Sequence, residues 1–294
     1  MSVYSIKDLE HLSGIKAHTL RIWEQRYGIL NPVRTDTNIR TYGDEELKLV
    51  LNIAILQNRG DYKISEIAKM SDSERSAHLL RLSEGTLNFP DQIQALTIAM
   101  LELNEVMFQQ LTNNIIRKYG FEDFLIHIIH PFMLRLGTLW LSGSVSPAQE
   151  HFISHLIRQK VMSEIDQLDL SLKPHAKKFL LYLPDGELHE ISLLFANYLL
   201  RSRKHQVIYL GQSLPLDELV CAYDIFKPDY VLSVFTSRPN PEEINDYLVE
   251  LTDKIPEAKL LLTGYQMMAL EQEVPERIQV LNNFQDLIDL ANAN

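Results

Sequence analysis

The chain has a single cysteine, Cys221, which excludes an internal disulfide and a multi-cysteine zinc site. Its place on an apolar helix face predicts a buried small hydrophobe. No apolar run approaches the roughly 20 residues that a membrane helix needs, so no membrane partner is expected. The N-terminus, Met1-Ser2-Val3-Tyr4-Ser5-Ile6-Lys7-Asp8, lacks the apolar core of a secretion signal and is patterned like a folded helix. The expected location is the cytoplasm. Basic residues are also short: 28 Lys and Arg stand against 39 Asp and Glu, a net charge of -11. That balance argues against a chain that binds nucleic acid over its whole surface. The deficit is uneven, however. Residues 1–75 hold 11 of each sign, which leaves 17 basic and 28 acidic residues elsewhere. A neutral N-terminal module on an acidic body has room for a local basic face. The 294 residues suffice for two or three domains, and three segments differ in pattern: 1–75, 76–172 and 177–294.

In the first segment, Ser5 is placed to cap a short helix over 5–12, with Ile6, Leu9 and Leu12 on one face. Gly14 supplies a tight turn. A second helix runs from about Lys16 to Tyr27, apolar at Ile15, Leu20, Trp23 and Tyr27. Helix, glycine turn and helix form helix-turn-helix grammar. In that motif the start of the second helix meets base edges, here Lys16, His18, Thr19 and Arg21. Asn31-Pro32 then opens a polar stretch through Arg34, Asp36, Asn38 and Arg40 to Tyr42, a hairpin-like wing with basic tips. Asp44 is read as the cap of a third helix whose Leu47, Val50, Leu51, Ala54 and Leu56 pack back on the pair.

The strings Tyr4-Ser5-Ile6, Gly14-Ile15, Thr19-Leu20-Arg21-Ile22-Trp23-Glu24-Gln25-Arg26-Tyr27-Gly28, Pro32 and Asn38-Ile39-Arg40-Thr41-Tyr42 follow in this order over about 70 residues. Here the sequence resembles the MerR family of transcriptional regulators. The resemblance implies a winged helix-turn-helix that binds double-stranded DNA as a dimer on an inverted-repeat operator. Arg21 and Arg40 would hold phosphates and Tyr42 would brace the wing. The alternative is a small helical protein-interaction module with surface arginines. Phosphate contacts predict strongly salt-dependent DNA binding.

The middle segment is apolar at helical spacing: Ile93, Leu96, Met100 and Leu103; Phe108, Leu111 and Ile115; Phe124, Leu125, Ile128 and Ile129; Phe152, Ile153, Leu156 and Val161. With a turn region around Ser142-Gly143-Ser144, this predicts an antiparallel four-helix bundle. Pro131 is placed to start or kink the helix that carries Met133, Leu134, Leu136 and Trp140. Trp140 is followed after nine residues by Glu150-His151. Taken alone, that string reads as a core tryptophan and a solvated pair. His151 and His155 share a helix face, but no His-Glu-x-x-His zinc-enzyme pattern is present.

From Lys177 the pattern alternates. Apolar strands at Phe179–Leu183, Val207–Leu210, Tyr230–Phe235, Lys259–Leu262 and Ile278–Leu281 are separated by helical segments at Ile191–Arg201, Leu216–Phe226, Pro241–Ile255, about Met267–Glu271 and Phe284–Ala293. This predicts a doubly wound, five-stranded parallel sheet. The first turn lacks the glycine-rich dinucleotide fingerprint, which argues against NAD or FAD. That turn, Gly186-Glu187-Leu188-His189-Glu190-Ile191-Ser192, places an imidazole at the carboxyl end of the first strand, where open parallel sheets bind ligands. From residues alone, His189 could ligate a metal, shuttle a proton or do neither.

Forty residues separate Ser192 from Ser233, and 27 separate Phe235 from Thr263-Gly264. Over about 115 residues this resembles the cobalamin-binding signature, an acidic-x-His-x-x-Gly turn followed by Ser-x-Leu and Gly-Gly. The resemblance implies that His189 replaces the cofactor's own base as lower cobalt ligand, that Glu187 orients the ring, and that the small residues open a slot for the displaced nucleotide tail. Three positions depart from the pattern: Ser192 for glycine, Phe235 for leucine and Thr263 for the first glycine of the pair, with bulky Tyr265 directly after.

The three segments, in this order, resemble light-responsive regulators of the CarH/LitR type, whose bundle also carries Trp, nine residues, Glu-His. The resemblance implies a repressor without enzymatic activity, with adenosylcobalamin bound between bundle and α/β domain. Trp140 and Glu150 would contact the adenosyl group, and His151 would ligate cobalt from above once light removes that group. The dark assembly, a dimer or tetramer, would bind operator DNA and loosen on illumination. Two other readings stay open: a cobalamin-independent regulator with a degenerate pocket, and a corrinoid-dependent methyltransferase module.

Overall fold

In the computed structural model, residues 4–35, 38–59, 62–71, 73–75, 78, 89–141, 145–270 and 274–293 are described. The expectations for Asp36, for the Ser142-Gly143-Ser144 turn and for the Glu271 end of a short helix lie outside them. The chain divides into two compact units, 1–156 and 157–294. No helix among the described residues is long and apolar enough to cross a membrane.

The first unit opens with α1 (Ile6–Ser13), whose first turn is closed by a reciprocal pair between Ser5 and Asp8. Gly14, in the left-handed region, ends it. Helix α2 (Ala17–Tyr27) follows with Leu20 and Trp23 buried. A two-stranded wing pairs β1 (Val33–Arg34) with β2 (Arg40–Thr41). Helix α3 (Asp44–Arg59) buries Leu47, Val50, Leu51, Ala54 and Leu56. The expectation that Asp44 caps α3 is corrected: Asp44 is the first helical residue. Gly43 stands at the cap, where its carbonyl starts the helix ladder and its N–H donates to the Glu46 carboxylate at 2.9 Å. A short α4 (Ile64–Ile67) follows.

Four helical stretches come next: α5 (Phe89–Leu101), α6 (Glu105–Tyr119), a composite of α7 (Phe121–Phe124) and α8 (His130–Leu141) joined by a π-helical turn at Leu125–Ile129, and α9 (Pro147–Asp166). The π turn falls directly before Pro131. Proline carries no N–H for the helical ladder, so the ladder slips at this point. Helix α5 is buried on every side from Gln94 to Met100, as expected of a helix at a bundle centre. The division between units falls inside α9.

The second unit runs β3 (Lys178–Pro184), α10 (Ile191–Ser202), β4 (Gln206–Leu214), α11 (Leu216–Phe226), β5 (Tyr230–Val234), α12 (Ile244–Lys254), β6 (Lys259–Thr263), α13 (Tyr265–Met268), β7 (Ile278–Val280) and α14 (Phe284–Ala293). The strands form one parallel sheet in the order β4-β3-β5-β6-β7. Residues 179 to 184 of β3 are all buried, because helices cover both faces of such a sheet. The strand order reverses on either side of β3, and ligands of open α/β sheets bind at the carboxyl ends beside that reversal. Strand β4 is longer than its apolar run: register shifts beyond Leu181, with Gly211 at φ 81°, carry it on to Leu214. The expectation of a buried Cys221 is corrected, since its thiol is exposed. On α11 the buried stripe is taken by Leu219 and Tyr223, and residue 221 lies about 200° around the helix from 219.

Candidate functional site

The turn after β3 is built around a buried carboxylate. Glu187 has no solvent exposure, yet His189, beside it, keeps 63% of its side chain exposed. The Glu187 carboxylate accepts backbone N–H bonds from His189 (3.0 Å), Thr236 (3.0 Å), Ser237 (2.6 Å) and Arg238 (3.0 Å), and the Ser237 hydroxyl at 3.2 Å. It also holds the His189 ring, with Nδ1 2.6 Å from its Oε1. Burial alone would raise the Glu187 pKa. The hydrogen bonds from the His189 ring and from the Ser237, His189 and Arg238 amides outweigh it and bring the group down to about 2. A partner ionised at neutral pH accepts a hydrogen bond from Nδ1–H of neutral imidazole, which leaves the ring's lone pair on Nε2. That is the form a metal-ligating histidine takes.

The extension of β4 secures the same turn from the other side. Ser213 Oγ accepts from the Gly186 N–H (3.0 Å) and donates to Asp185 (2.9 Å), and the Gln212 amide donates to the Leu188 carbonyl at 2.6 Å. Gln212, Ser213 and Ser237 were not singled out from the sequence. The signals available were a polar pair after Gly211 at a strand end and the polar Thr236-Ser237-Arg238 run directly after the apolar β5.

The other strand-end residues line the same carboxyl edge. Ser192 lies, half-buried, in the first turn of α10. Ser233 is buried on β5, directly opposite Tyr182, and its hydroxyl donates to the Tyr182 carbonyl at 2.8 Å. Phe235 lies just beyond β5, fully buried and edge-on to Tyr247, whose hydroxyl is 3.1 Å from that of Tyr182. The Thr263 hydroxyl donates to the Leu281 carbonyl at 2.7 Å. Gly264 has φ 107°, and a Cβ there would stand 2.5 Å from the Phe235 carbonyl oxygen. Only glycine fits that close approach. Tyr265 projects outward, 72% exposed.

In the first unit, Trp140, next to last in α8, is about half exposed, contrary to a core tryptophan. On α9, Glu150 accepts from the Ser154 hydroxyl at 2.7 Å and pairs with His151 Nδ1 at 2.8 Å. His151 is mostly exposed, and its ring centroid is 6.3 Å from that of His155. Among the described residues, no group of three or more His, Cys, Asp or Glu side chains is placed to hold a metal ion.

On the head, Lys16 caps α2 with its backbone and pairs with Glu10 at 3.1 Å. His18 and Arg21 are exposed on α2, and Thr19, half-buried, lies 3.4 Å from the His18 ring. Arg40 is not loose on the wing: its Nε donates to both Glu24 oxygens, at 3.0 and 3.2 Å, and so ties wing to α2. Tyr42 is buried and exchanges two backbone hydrogen bonds with Tyr4, both 2.9 Å, which pins the base of the wing. Burial pushes the Tyr42 hydroxyl pKa up; the charges of Arg40, Arg21 and Arg34 act in the opposite sense.

Residues 4–74 match the family described as MerR HTH family regulatory protein, and residues 92–162 match the B12 binding domain family. The HTH-type transcriptional repressor CarH of Myxococcus xanthus is 27% identical over 94% of this chain and 93% of its own length. The repressor CarA of the same organism is 29% identical over 83% and 80%. Among solved structures, the Methanosarcina barkeri monomethylamine corrinoid protein shares the fold with a TM-score of 0.53 at 12% identity, covering 67% of this chain and 94% of that one. Residues 4–74 are thus similar to the MerR helix-turn-helix family and residues 92–162 to the B12 binding domain family, in a chain that aligns over most of its length with the CarH and CarA repressors.

Proposed function

We propose that the chain is a transcriptional repressor whose MerR-type head binds an inverted-repeat operator as a dimer or tetramer, that adenosylcobalamin controls this binding, and that light is the signal. The observation that carries the reading is the His189–Glu187 pair: an exposed imidazole at the sheet's carboxyl edge, with Nδ1 held by a buried, ionised carboxylate. Those residues fit a corrin, since an imidazole Nε2 is the donor an axial cobalt position takes and Leu188 and Tyr265 add exposed apolar surface to the same edge. Cobalamin would supply a cobalt ion and, in its adenosyl form, a light-sensitive cobalt–carbon bond. In this reading His189 would be the lower cobalt ligand and Glu187 would orient it, with Ser192, Ser233, Thr263 and Gly264 toward the nucleotide tail. Trp140 and Glu150 would contact the adenosyl group, and His151 would be a second candidate cobalt ligand once light removes that group. Arg21 and Arg40 hold phosphates, Lys16, His18 and Thr19 face the bases, and Tyr42 braces the wing. Operator control requires that the head be favoured in one ligation state over the other. The chain acts as a regulator in the cytoplasm and not as an enzyme.

The test is the visible spectrum of the protein mixed with adenosylcobalamin, in the dark and after illumination, beside His189→Ala and His151→Ala. A protein-dependent dark spectrum that changes with light is expected, with the dark change lost in His189→Ala and the light product altered in His151→Ala. An unchanged spectrum on mixing refutes the reading. A second reading, a cobalamin-independent regulator, is favoured by the buried Phe235 and by the Ser233 and Thr263 hydroxyls, both committed to backbone carbonyls. Normal repression by His189→Ala in the dark with cofactor present would select it.

A further inference from the structure

Directly after His189 stands a second buried carboxylate. Glu190 is only 4% exposed and is the N-cap residue of α10, yet its side chain makes no cap bond. An N-cap carboxylate ordinarily accepts from the first free amides of its own helix. Here it turns away. The Tyr209 hydroxyl of β4 donates to it at 2.7 Å, and Arg158 of α9 approaches to 2.5 Å through Nε. The arginine contact is an ion pair and not an aligned hydrogen bond: among the described residues, neither Arg158 Nε nor Glu190 Oε1 has a hydrogen-bond partner. A carboxylate at this depth needs charge and hydrogen-bond compensation, and within the second unit both come from elements outside the turn. Burial and the bond to Glu190 push the Tyr209 pKa up, so Tyr209 stays a donor. Backbone bonds complete the fixation, with the Leu194 N–H donating to the Glu190 carbonyl and the Glu190 N–H to that of Leu188.

We propose that Arg158, Tyr209 and Glu190 form a clamp that positions His189 from its C-terminal side. Glu187 fixes the direction of the ring through Nδ1. The clamp fixes the peptide that carries it, because Glu190 cannot shift without leaving Arg158 and Tyr209. Arg158, Tyr209 and Glu190 are thus positioning residues for a metal-binding imidazole, and they touch no ligand themselves. This inference rests on the lower-ligand reading of His189.

The test has two arms. In cofactor-free protein, amide hydrogen exchange across residues 189–194 is compared in wild type, Arg158→Met, Arg158→Lys and Tyr209→Phe. With cobinamide, a corrinoid that carries no nucleotide base of its own, reduced to the cob(II) state, the nitrogen superhyperfine triplet of an axial imidazole is read by electron paramagnetic resonance, together with cofactor affinity. Arg158→Met and Tyr209→Phe are expected to speed exchange, to weaken the triplet and to lower affinity about tenfold, the lower end of what support residues around metal ligands contribute. Arg158→Lys, which keeps the charge, is expected to restore most of each signal. Unchanged exchange, triplet and affinity in both Arg158→Met and Tyr209→Phe overturn the clamp. Should Arg158→Met fail to fold, Tyr209→Phe, which keeps the ring and removes one hydroxyl, decides alone. A wild-type protein with no triplet overturns the lower-ligand reading instead, while the cofactor-free exchange still decides whether the clamp holds the turn.

Discussion

Replacing Glu187 with glutamine tests the centre of the site most directly. The substitution keeps the size of the side chain and removes its charge. It also turns one acceptor oxygen into an NH2 that faces donors, since four backbone amides, the Ser237 hydroxyl and the His189 ring all point at the carboxylate. A carboxyl held at about 2 in the folded chain, against 4.5 when unfolded, contributes about 3 kcal/mol at neutral pH. The sign follows from proton binding. The depressed group binds fewer protons folded than unfolded, so its contribution is fully present above about pH 4.5 and is lost as pH falls toward 2. About half should remain near pH 3.3. The chain offers a convenient assay, because its two tryptophans, Trp23 and Trp140, both lie in the first unit. Unfolding by urea can be followed by tryptophan fluorescence for that unit and by far-ultraviolet circular dichroism for both. The transition seen by dichroism alone belongs to the second unit. Glu187→Gln should destabilise that transition by about 3 kcal/mol at pH 7, and the gap to wild type should narrow below pH 4.5. A gap under about 1 kcal/mol at pH 7, or one that stays constant down to pH 3, would refute this account of the turn.

Other expectations are simpler. Arg21→Ala should weaken operator binding and lower the slope of log affinity against log salt by about 0.9 for each phosphate it no longer neutralises. Arg40→Ala should weaken it more, because it also unpairs Glu24 on α2; equal effects of the two substitutions in a salt titration would count against the Arg40–Glu24 tie. Gly264→Ala forces a Cβ to 2.5 Å from the Phe235 oxygen at φ 107°, so denaturant unfolding of the second unit should show a loss of about 2 kcal/mol or more. A loss under about 0.5 kcal/mol would mean that the β6–α13 turn relaxes freely. Cys221 is exposed, so a thiol reagent should titrate one equivalent in the native protein as fast as in urea; protection in the native protein would contradict its placement on α11.

The sheet was legible because its strands are buried on both faces. That burial demands continuous apolar runs such as Phe179–Leu183, and turn residues bound the helices between them. Helices α11 and α14 begin and end where their patterns do. Position was harder to read than type. Gly211 and Ser213 read as the end of a strand, yet both adopt positive φ and let β4 continue past its last apolar residue. Cys221 reads as an apolar-side residue by composition, although two helical positions from Leu219 is nearly the opposite face. The partners of Glu187 were invisible for a different reason: three are backbone amides 49 to 51 residues downstream. No local pattern encodes a backbone donor that a parallel crossover brings to the same edge.

The departures at Ser192, Phe235 and Thr263 bear on the interior more than on that edge. Phe235 directs its ring into the core against Tyr247, and Thr263 turns its hydroxyl to the Leu281 carbonyl. Neither side chain has a contact with His189 among those described. Retention of an axial imidazole and room for a nucleotide tail are therefore separate questions in this chain, and the energetics of the turn speak to the first. A fully buried carboxylate is an expensive way to close a loop, several kcal/mol of desolvation before any bond forms, and an apolar residue with a simpler backbone would close it more cheaply. What the carboxylate adds is a fixed proton on Nδ1 of an otherwise solvent-facing ring. That arrangement suits a ring whose Nε2 must meet an electrophile at a set angle, as the proposed cobalt ligation would require.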